Sequence, residues 1–167
     1  MDECICIIVA SLCGGIAFSK DIPREIYTFH EDWATVFNDQ GKPDDLYLRE
    51  ITERDWKTVK IPHNWDDYGG ARQLVHGNLH GTAWYKKEFE IPVKTGNKHY
   101  FLRFEGVGTY ATVNLNGVDL GRHLGGRVSF TIDVTSAIRA GAANTLLVKA
   151  EHPVMSSDMP CVCGGCS

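Results

Sequence analysis

Apolar and polar residues alternate with a period of two along much of the second half of the chain. In residues 128–134 every second residue is apolar, from Val128 to Val134, and residues 111–115 repeat this pattern. Successive side chains of a strand point to opposite faces, so the alternation predicts half-buried β-strands. No window of about 11–18 residues keeps the spacing of three and four that an amphipathic helix needs. The chain is therefore predicted to be all-β.

Turn-forming residues separate the predicted strands. Asn116-Gly117 follows residues 111–115, and both of these residues accept the positive φ angles of a type I′ hairpin turn. A short helical turn is predicted at residues 136–140, with Asp133 or Thr135 as its cap. Many short strands between turns indicate an antiparallel β-sandwich. The other predicted strands are residues 84–91, 100–105, 118–121 and 145–151, and the predicted loops are residues 38–45 and 62–82.

Length and composition narrow the possible classes of protein. A chain of 167 residues suits one domain and is too short for a catalytic barrel, which typically has about 250 residues. A hydrophobic content of 43% and an aromatic content of 10% are typical of a globular protein. The 17 basic and 21 acidic residues form no basic block, so no nucleic-acid partner is predicted.

The first residues have the composition of an export signal. Residues 4–18 are apolar or small, a run too short to cross about 30 Å of hydrocarbon. Ala17-Phe18-Ser19 offers the small residues that a signal peptidase recognises, although Met1-Asp2-Glu3 lacks the usual basic charge. We therefore expect residues 1–19 to be a signal peptide or apolar leader and residues 20–167 to be the mature domain. This domain would be exported to the periplasm or the medium, with no membrane span. A membrane anchor and a buried strand are the alternative interpretations of residues 1–19.

Seven segments of the chain follow one another in an order that resembles a known family. They are Phe29…Trp33, Trp56-x-x-Val-x-Ile-Pro-His-Asn-Trp65, Gly81-Thr-Ala-Trp84-Tyr85-Lys-Lys, Phe104-Glu-Gly-Val107, Val113-Asn-Leu-Asn116-Gly117, Gly121-x-His-x-Gly-Gly126-x-x-x-Phe130-x-x-Asp133-Val-Thr135 and Gly141-x-x-Asn144-x-Leu-x-Val148. In this order they resemble the N-terminal sugar-binding domain of glycoside hydrolase family 2, which includes β-galactosidases, β-glucuronidases and β-mannosidases. The resemblance runs from about Arg24 to the last residue.

The resemblance implies a galactose-binding-like jelly roll and a supporting role. In this family an immunoglobulin-like domain and a (β/α)₈ barrel follow, and the barrel holds both catalytic glutamates. We expect this chain to end before both of these domains. It would then be a non-catalytic domain that supports the barrel in the hydrolysis of terminal β-glycosides, with carbohydrate as the partner of the parent enzyme.

The acidic residues do not supply a catalytic pair of their own. Glycoside hydrolysis needs two carboxyls, about 5–5.5 Å apart for retention or about 6.5–9.5 Å apart for inversion. The Asn-Glu dipeptide of the family's acid/base residue does not occur in the sequence, and the neighbouring acids Asp44-Asp45 and Asp66-Asp67 fall in predicted loops. No catalytic residue is therefore predicted. A β-glycosidase with a separately encoded catalytic part and a free-standing lectin-like module are the alternatives.

Four residues are candidate sugar contacts. Trp65 could stack on a sugar face, or serve the packing of the sandwich. The resemblance implies that Asp158 accepts hydrogen bonds from sugar hydroxyls in an intact enzyme, and that Asn78 and His80 lie on the rim of the active site. The alternative for Asp158 is a turn residue, and the alternative for Asn78 and His80 is a solvated loop.

Three cysteines lie close together at the end of the chain. Cys161, Cys163 and Cys166 could be turn residues, could form a disulfide, or could bind a metal with His152 as a fourth ligand. Zinc prefers four ligands, and an exported protein more often oxidises such thiols. We expect no metal and no cofactor.

Overall fold

The computed structural model describes residues 3–9, 25–38, 52–63, 81–93, 98–126 and 128–152. These ranges contain ten β-strands and one short 3₁₀ helix, Glu53–Asp55. The strands are β1 (Glu3–Val9), β2 (Glu25–Thr28), β3 (Trp33–Asn38), β4 (Lys57–Val59), β5 (Gly81–Glu90), β6 (Lys98–Phe104), β7 (Tyr110–Leu115), β8 (Val118–Leu124), β9 (Phe130–Asp133) and β10 (Ala143–His152).

The strands form two sheets. The larger sheet has the order β4-β3-β5-β10-β7-β8, and the smaller one has the order β2-β1-β6-β9. All pairings in the larger sheet are antiparallel, as is the pairing of β6 with β9. Strand β1 differs, because it runs parallel to both β2 and β6.

One apolar core joins the two sheets. Alternate residues are buried along β6, which belongs to the smaller sheet, and along β7, which belongs to the larger one. Their buried side chains form a single cluster with residues of β3, β5 and β10. Two sheets that share one layer of alternating side chains form a β-sandwich. The predicted all-β sandwich is therefore confirmed.

The predicted hairpin turn joins β7 to β8. Asn116 has a φ of 55° and Gly117 a φ of 87°, both in the left-handed region that a type I′ turn needs. The Asn116 side chain also anchors this turn to the rest of the sandwich: its Nδ2 donates to the carbonyl of Ala137 at 2.8 Å, and its Oδ1 accepts from the N–H of Thr145 at 3.0 Å.

A buried asparagine connects three elements beneath this hairpin. Asn144 at the start of β10 is fully buried. Its Oδ1 accepts from Asn116 Nδ2 and from the Arg139 N–H, each at 2.8 Å. Its Nδ2 donates to the carbonyls of Arg139 and Ala142, each at 2.9 Å. The hairpin, the turn before Gly141 and the start of β10 are thereby held together by one side chain.

The predicted helical turn forms only one turn. The N–H groups of Ala137 and Ile138 both donate to the carbonyl of Val134 at 2.9 Å, and no helix continues from there. Gly141, with a φ of 77°, turns the chain away, and its N–H donates to the carbonyl of Ile91. The predicted cap is found at Asp133, because its Oδ1 accepts from the Thr135 N–H at 2.9 Å.

Some boundaries differ from the prediction. Strand β9 begins at Phe130 rather than at residue 128, and the Val128 side chain is 58% exposed instead of facing the core. Gly125 and Gly126, which precede Val128 by three and two positions, lie between the end of β8 and the start of β9, where the backbone turns. After β4 the Ile61 N–H donates to the carbonyl of His30, which ties the chain that follows this strand to the residues before β3.

The segment predicted as a leader contains strand β1. A buried strand was one of the alternative interpretations of residues 1–19, and the structure places residues 3–9 between β2 and β6. Cleavage and export of this segment remain predictions. Most of the two predicted loops, residues 38–45 and 62–82, lies outside the described residues.

Asn144→Ala is expected to lower the free energy of unfolding by about 2–4 kcal/mol, because it leaves several buried polar groups without partners. Urea denaturation followed by tryptophan fluorescence measures this loss. The matched control is Asn114→Ala, which removes one exposed hydrogen bond to the Gly117 N–H, and should cost about 0.5–1.5 kcal/mol. Equal losses in the two variants would contradict the role given to Asn144.

Candidate functional site

The four candidate sugar contacts Trp65, Asn78, His80 and Asp158 lie outside the described residues. The described residues next to them show where their segments leave the sandwich. Gly81, the first residue of β5, directly follows His80, and His152, the last residue of β10, lies six positions before Asp158.

Two of these segments adjoin paired strand ends of the larger sheet. Gly81 is paired with His152 in the antiparallel ladder of β5 and β10. The segment that carries Asn78 and His80 and the segment that carries Asp158 therefore meet the sheet at neighbouring strand ends. The strand pairing thus places Gly81 beside His152, although the two residues are distant in sequence.

The connection from β6 to β7 and the end of β8 lie beside these strand ends. The Thr109 N–H donates to the carbonyl of Glu151 at 3.2 Å, and Thr109 Oγ1 lies 2.7 Å from His152 Nδ1. The N–H of Gly125 donates to the carbonyl of Thr109 at 2.9 Å. We call this end of the sandwich, formed by Gly81, Thr109, Gly125 and His152, the β10 rim.

Close backbone contacts hold the β10 rim together. A Cβ atom at Gly126 would overlap the carbonyl oxygen of Gly108, so a side chain at residue 126 would push the β8 end away from the β6–β7 connection. Gly81 has a φ of 151°, and a Cβ there would lie 2.9 Å from the carbonyl oxygen of Asn38. The glycines of this end therefore serve the approach of one backbone to another.

Charged and aromatic groups line the sheet surface next to the rim. The Arg122 guanidinium lies over the Tyr110 ring, 4.7 Å from its centroid, and Arg122 Nη2 is 3.3 Å from Glu151 Oε2. Lys149 Nζ lies 2.9 Å from Glu151 Oε1. Each group has a partner on the same sheet, and the guanidinium covers one face of the tyrosine ring. This surface is thus organised by contacts within the domain.

The segment that leads to Trp65 starts elsewhere. His63 Nδ1 lies 3.0 Å from the Tyr85 hydroxyl, and the two rings meet edge to face with centroids 5.7 Å apart. Tyr85 lies four residues into β5 from Gly81 and packs against the core between the sheets. The start of this segment is therefore not part of the β10 rim, in contrast to the starts of the other two.

Three described carboxyl groups have a shifted pKa, and each is shifted downward. The ammonium of Lys60, 2.6 Å from Glu31, lowers the pKa of Glu31 by a hydrogen bond and by its charge. The backbone N–H and then the hydroxyl of Thr52 lower the pKa of Asp55. The side chain and then the N–H of Thr135 lower the pKa of Asp133.

A general acid for glycoside hydrolysis needs the opposite shift, because it must be protonated near neutral pH. Glu31, Asp55 and Asp133 instead serve as the partner of a lysine, the second half of a capping box and the cap of a turn. Their geometry indicates structural roles.

Within the described ranges, no three His, Cys, Asp or Glu side chains come close enough together to hold a metal ion. Cys161, Cys163 and Cys166 lie outside these ranges, so their state remains a prediction. In the same ranges, no helix has the length and apolar character needed to cross a membrane.

Residues 68–159 match a family described as glycosyl hydrolase 2 galactose-binding domain-like. The chain belongs to this family. The match spans strands β5 to β10 together with the segments that carry Asn78, His80 and Asp158, so it includes the whole β10 rim. The predicted membership of the galactose-binding-like domain class of family 2 is confirmed.

The relatives of this chain include β-glucuronidases and β-galactosidases. The chain is 31% identical over 136 residues to a β-glucuronidase of Formosa agariphila, a match that covers 77% of this chain and 14% of that protein. It is 27% identical over 137 residues to a β-galactosidase of Thermoanaerobacter pseudethanolicus, with 82% of this chain and 18% of that protein covered. The chain therefore spans less than a fifth of the length of either relative.

A solved structure has the same fold. The Ruminococcus gnavus β-glucuronidase in complex with D-glucaro 1,5-lactone matches with a TM-score of 0.63 and 22% identity. The match covers 79% of this chain and 22% of that one. At this identity the likeness concerns the fold alone.

Sequence reasoning did not find the contact of Thr109 with His152. These residues are 43 positions apart, and neither belongs to a motif that predicts the other. Gly106 and Gly108, on either side of Val107, are typical of a tight turn, but such a pattern does not predict which strand lies beside it.

Asp133→Asn is expected to flatten the acid side of the stability profile. A carboxyl whose pKa is lowered by folding stabilises the fold above its unfolded pKa, about 3.9, and this contribution is lost as the pH falls through the folded pKa. Wild type should therefore exceed the variant in free energy of unfolding near pH 6, and the difference should shrink below about pH 4. Urea denaturation at a series of pH values measures the free energy of unfolding of wild type and variant.

Glu88→Gln is the control for this experiment, because it removes the same charge from an exposed position of β5. The difference in free energy of unfolding between Glu88→Gln and wild type should not show the pH dependence expected for Asp133→Asn. A stability difference for Asp133→Asn that stays constant between about pH 3 and 6 would contradict the role of the turn carboxylate.

Proposed function

We propose that the chain acts as a non-catalytic, carbohydrate-binding-type domain of a family 2 glycosyl hydrolase that cleaves terminal β-glycosides. The observation that carries this proposal is the family match over residues 68–159 within relatives of which this chain spans less than a fifth. The catalytic carboxyls would lie in the barrel domain of the longer enzyme, and this domain would support that barrel.

The described carboxyls support a non-catalytic role. Glu31, Asp55 and Asp133 are held in their charged form by local partners, and Glu151 is paired with Arg122 and Lys149. Cleavage of a glycoside needs one protonated and one ionised carboxyl on either side of the bond. A carboxyl whose charged form is stabilised by a salt bridge or by a capping turn does not supply the protonated carboxyl.

The β10 rim supports the contribution to sugar binding. It is where the segment with Asn78 and His80 and the segment with Asp158 join neighbouring strands. In the proposed role, the Asp158 carboxylate accepts hydrogen bonds from two sugar hydroxyls, and Asn78 and His80 line the edge of the same pocket. Trp65 would add an apolar surface for a sugar face, reached from the His63 end of its own segment.

The domain would also be exported with its parent enzyme. Residues 1–19 have the apolar run and the small residues of an export signal, and this supports a periplasmic or extracellular location.

The purified 167-residue chain is expected to show no turnover of 4-nitrophenyl β-D-glucuronide or 4-nitrophenyl β-D-galactoside, because its sequence has no Asn-Glu dipeptide and the catalytic pair of carboxyls is proposed to lie in the barrel domain. Release of nitrophenol measures this, and the full-length Formosa β-glucuronidase serves as the positive control. Calorimetry with D-glucuronate and D-galactose should give no saturable heat, since this domain supplies only one wall of the pocket. Turnover would contradict the non-catalytic role, and saturable binding would favour the lectin-like alternative.

Asp158→Asn is expected to lower kcat/KM when the domain forms part of an enzyme. The test uses a chimera in which residues 20–167 of this chain, which include Asp158, replace the corresponding region of the Formosa β-glucuronidase. Loss of a charged hydrogen-bond acceptor for the sugar should reduce kcat/KM about 10- to 100-fold. Glu88→Gln in the same chimera is the control and should leave kcat/KM unchanged. An active chimera in which Asp158→Asn has no effect would remove Asp158 from the site and leave the supporting role intact.

A further inference from the structure

Three rings are stacked between the two sheets at one side of the sandwich. His123 of β8 lies on Phe130 of β9, with ring centroids 4.0 Å apart and an angle of 15° between the planes. Phe130 lies in turn on Phe104 of β6, with centroids 4.7 Å apart and an angle of 12°. Among the described strands, β8 is at the edge of the larger sheet and β9 at the edge of the smaller one. These three rings, which we call the His123 stack, therefore join the two sheet edges.

One nitrogen of the His123 imidazole is enclosed without a hydrogen-bond partner. Its Nε2 atom is buried, and no donor or acceptor is bonded to it. The turn after β8 lies beside this atom, because a Cβ atom at Gly125 would be 3.9 Å from His123 Nε2 and 3.8 Å from Val128 Cγ2. In the neutral ring an unprotonated Nε2 carries no hydrogen, so it leaves no donor unpaired at this position.

Protonation would change what this position has to accommodate. The imidazolium carries an N–H on both ring nitrogens, so His123 Nε2 would become a charged donor without an acceptor. Burial of an unpaired charged donor is costly. Attraction between the cation and the face of Phe130 offsets only part of this cost, because a ring face is a weaker partner than a bonded acceptor. The folded stack therefore favours the neutral ring.

Charged groups of the larger sheet near the stack have partners elsewhere. Arg122 is paired with Glu151 on the opposite face of the sheet, and the Asp119 carboxylate accepts from the Gly121 N–H. On β7, the residue paired with His123 is Ala111, which carries no charge. None of these groups compensates a positive charge on the imidazole.

Charged groups of the smaller sheet are placed in the same way. Arg103 alternates with the buried residues Leu102 and Phe104 along β6, so its side chain is on the outer face of this sheet. Glu105, which follows β6, is partly exposed. The Asp133 carboxylate at the end of β9 accepts from a backbone N–H of the next turn. No described carboxylate is bonded to His123 Nε2.

The His123 stack is directly connected to the β10 rim. Two residues after His123, the Gly125 N–H donates to the carbonyl of Thr109 at 2.9 Å, and the Thr109 N–H donates to the carbonyl of Glu151 at 3.2 Å. The end of β8 is thus held by the stacked rings and by these backbone bonds. Release of the ring from Phe130 would leave the Gly125 and Thr109 bonds to hold this end alone.

We propose that the His123 stack is an acid-sensitive contact, which holds the end of β8 and with it the β10 rim while the imidazole is neutral and releases them when it is protonated. An effect of acidity on the candidate sugar contacts rests on the proposed function. The contact itself does not depend on that function.

The first test follows the rim in the wild-type chain. Backbone hydrogen exchange is measured by NMR between about pH 7.5 and pH 5.5 and corrected for its intrinsic pH dependence. Protection of the Gly125 and Thr109 amides should fall about 10-fold at about pH 5.5, one unit below the pKa of an ordinary imidazole, about 6.5. The control amides are Asn116 and Val134, which donate to the carbonyls of Thr145 and Tyr100 and should lose less protection. Protection of Gly125 and Thr109 that stays constant, or that falls only as much as the controls, would overturn the proposal.

The second test assigns the effect to one side chain. His123→Phe keeps a ring against Phe130 and removes the group that is protonated, so protection of Gly125 and Thr109 should no longer fall at low pH. The matched control is His30→Gln, which removes a partly exposed imidazole before β3 and should keep the wild-type fall. If His123→Phe does not fold, His123→Leu replaces it with the same expected result. A fall in the His123 variant as large as that of wild type would overturn the role of His123.

This proposal and the proposed function fail on different results. Turnover of a nitrophenyl glycoside by the purified chain would overturn the non-catalytic role and leave the exchange results unchanged. A β10 rim whose protection does not respond to pH would remove the acid-sensitive contact and leave the role in a family 2 enzyme intact.

Discussion

Closure of two sheets over one apolar layer is the constraint on which the rest of the domain depends. Leu102 and Phe104 from the smaller sheet and Val113 and Leu146 from the larger one belong to a single buried cluster. Each of these residues reaches that layer only if its strand keeps its register, because a shift by one residue turns every side chain to the opposite face. The core thus determines where each strand ends, and with it where each connecting segment leaves the sandwich.

The position of the candidate site follows from this register. Pairing of Gly81 with His152 places the first residue of β5 beside the last residue of β10, and Thr109 fixes the neighbouring connection to the end of β10. Polar side chains of the domain also hold its connections in place. At the end of the sandwich opposite to the β10 rim, Asn144 holds the β7–β8 hairpin. Asp133 caps the turn that precedes Gly141. Rigid strand ends with variable segments attached are a common basis for binding sites.

Strand β1 belongs both to the smaller sheet and to the segment predicted to be an export signal. The same apolar composition that suits an export signal also suits the middle of a sheet, because both require a run of residues without charge. In the folded chain these residues complete the smaller sheet beside β6.

Local patterns in the sequence determined most of the strands and turns of this protein, whereas the tertiary structure decided how they are arranged. The alternation in residues 111–115 and the Asn116-Gly117 pair specify a strand and a type I′ turn from the preferences of neighbouring residues alone. The quoted motifs were also sufficient to identify the family, since they carry the glycines and asparagines that these turns need. Alternation misplaced Val128, because the backbone of Gly125 and Gly126 packs against the β6–β7 connection and leads the chain away from the sheet. The parallel insertion of β1, the hydrogen bond of Asn116 with Asn144 and the contact of Thr109 with His152 join residues that are distant in sequence. Such contacts arise only when strands distant in sequence pair within a sheet, and no local pattern encodes them.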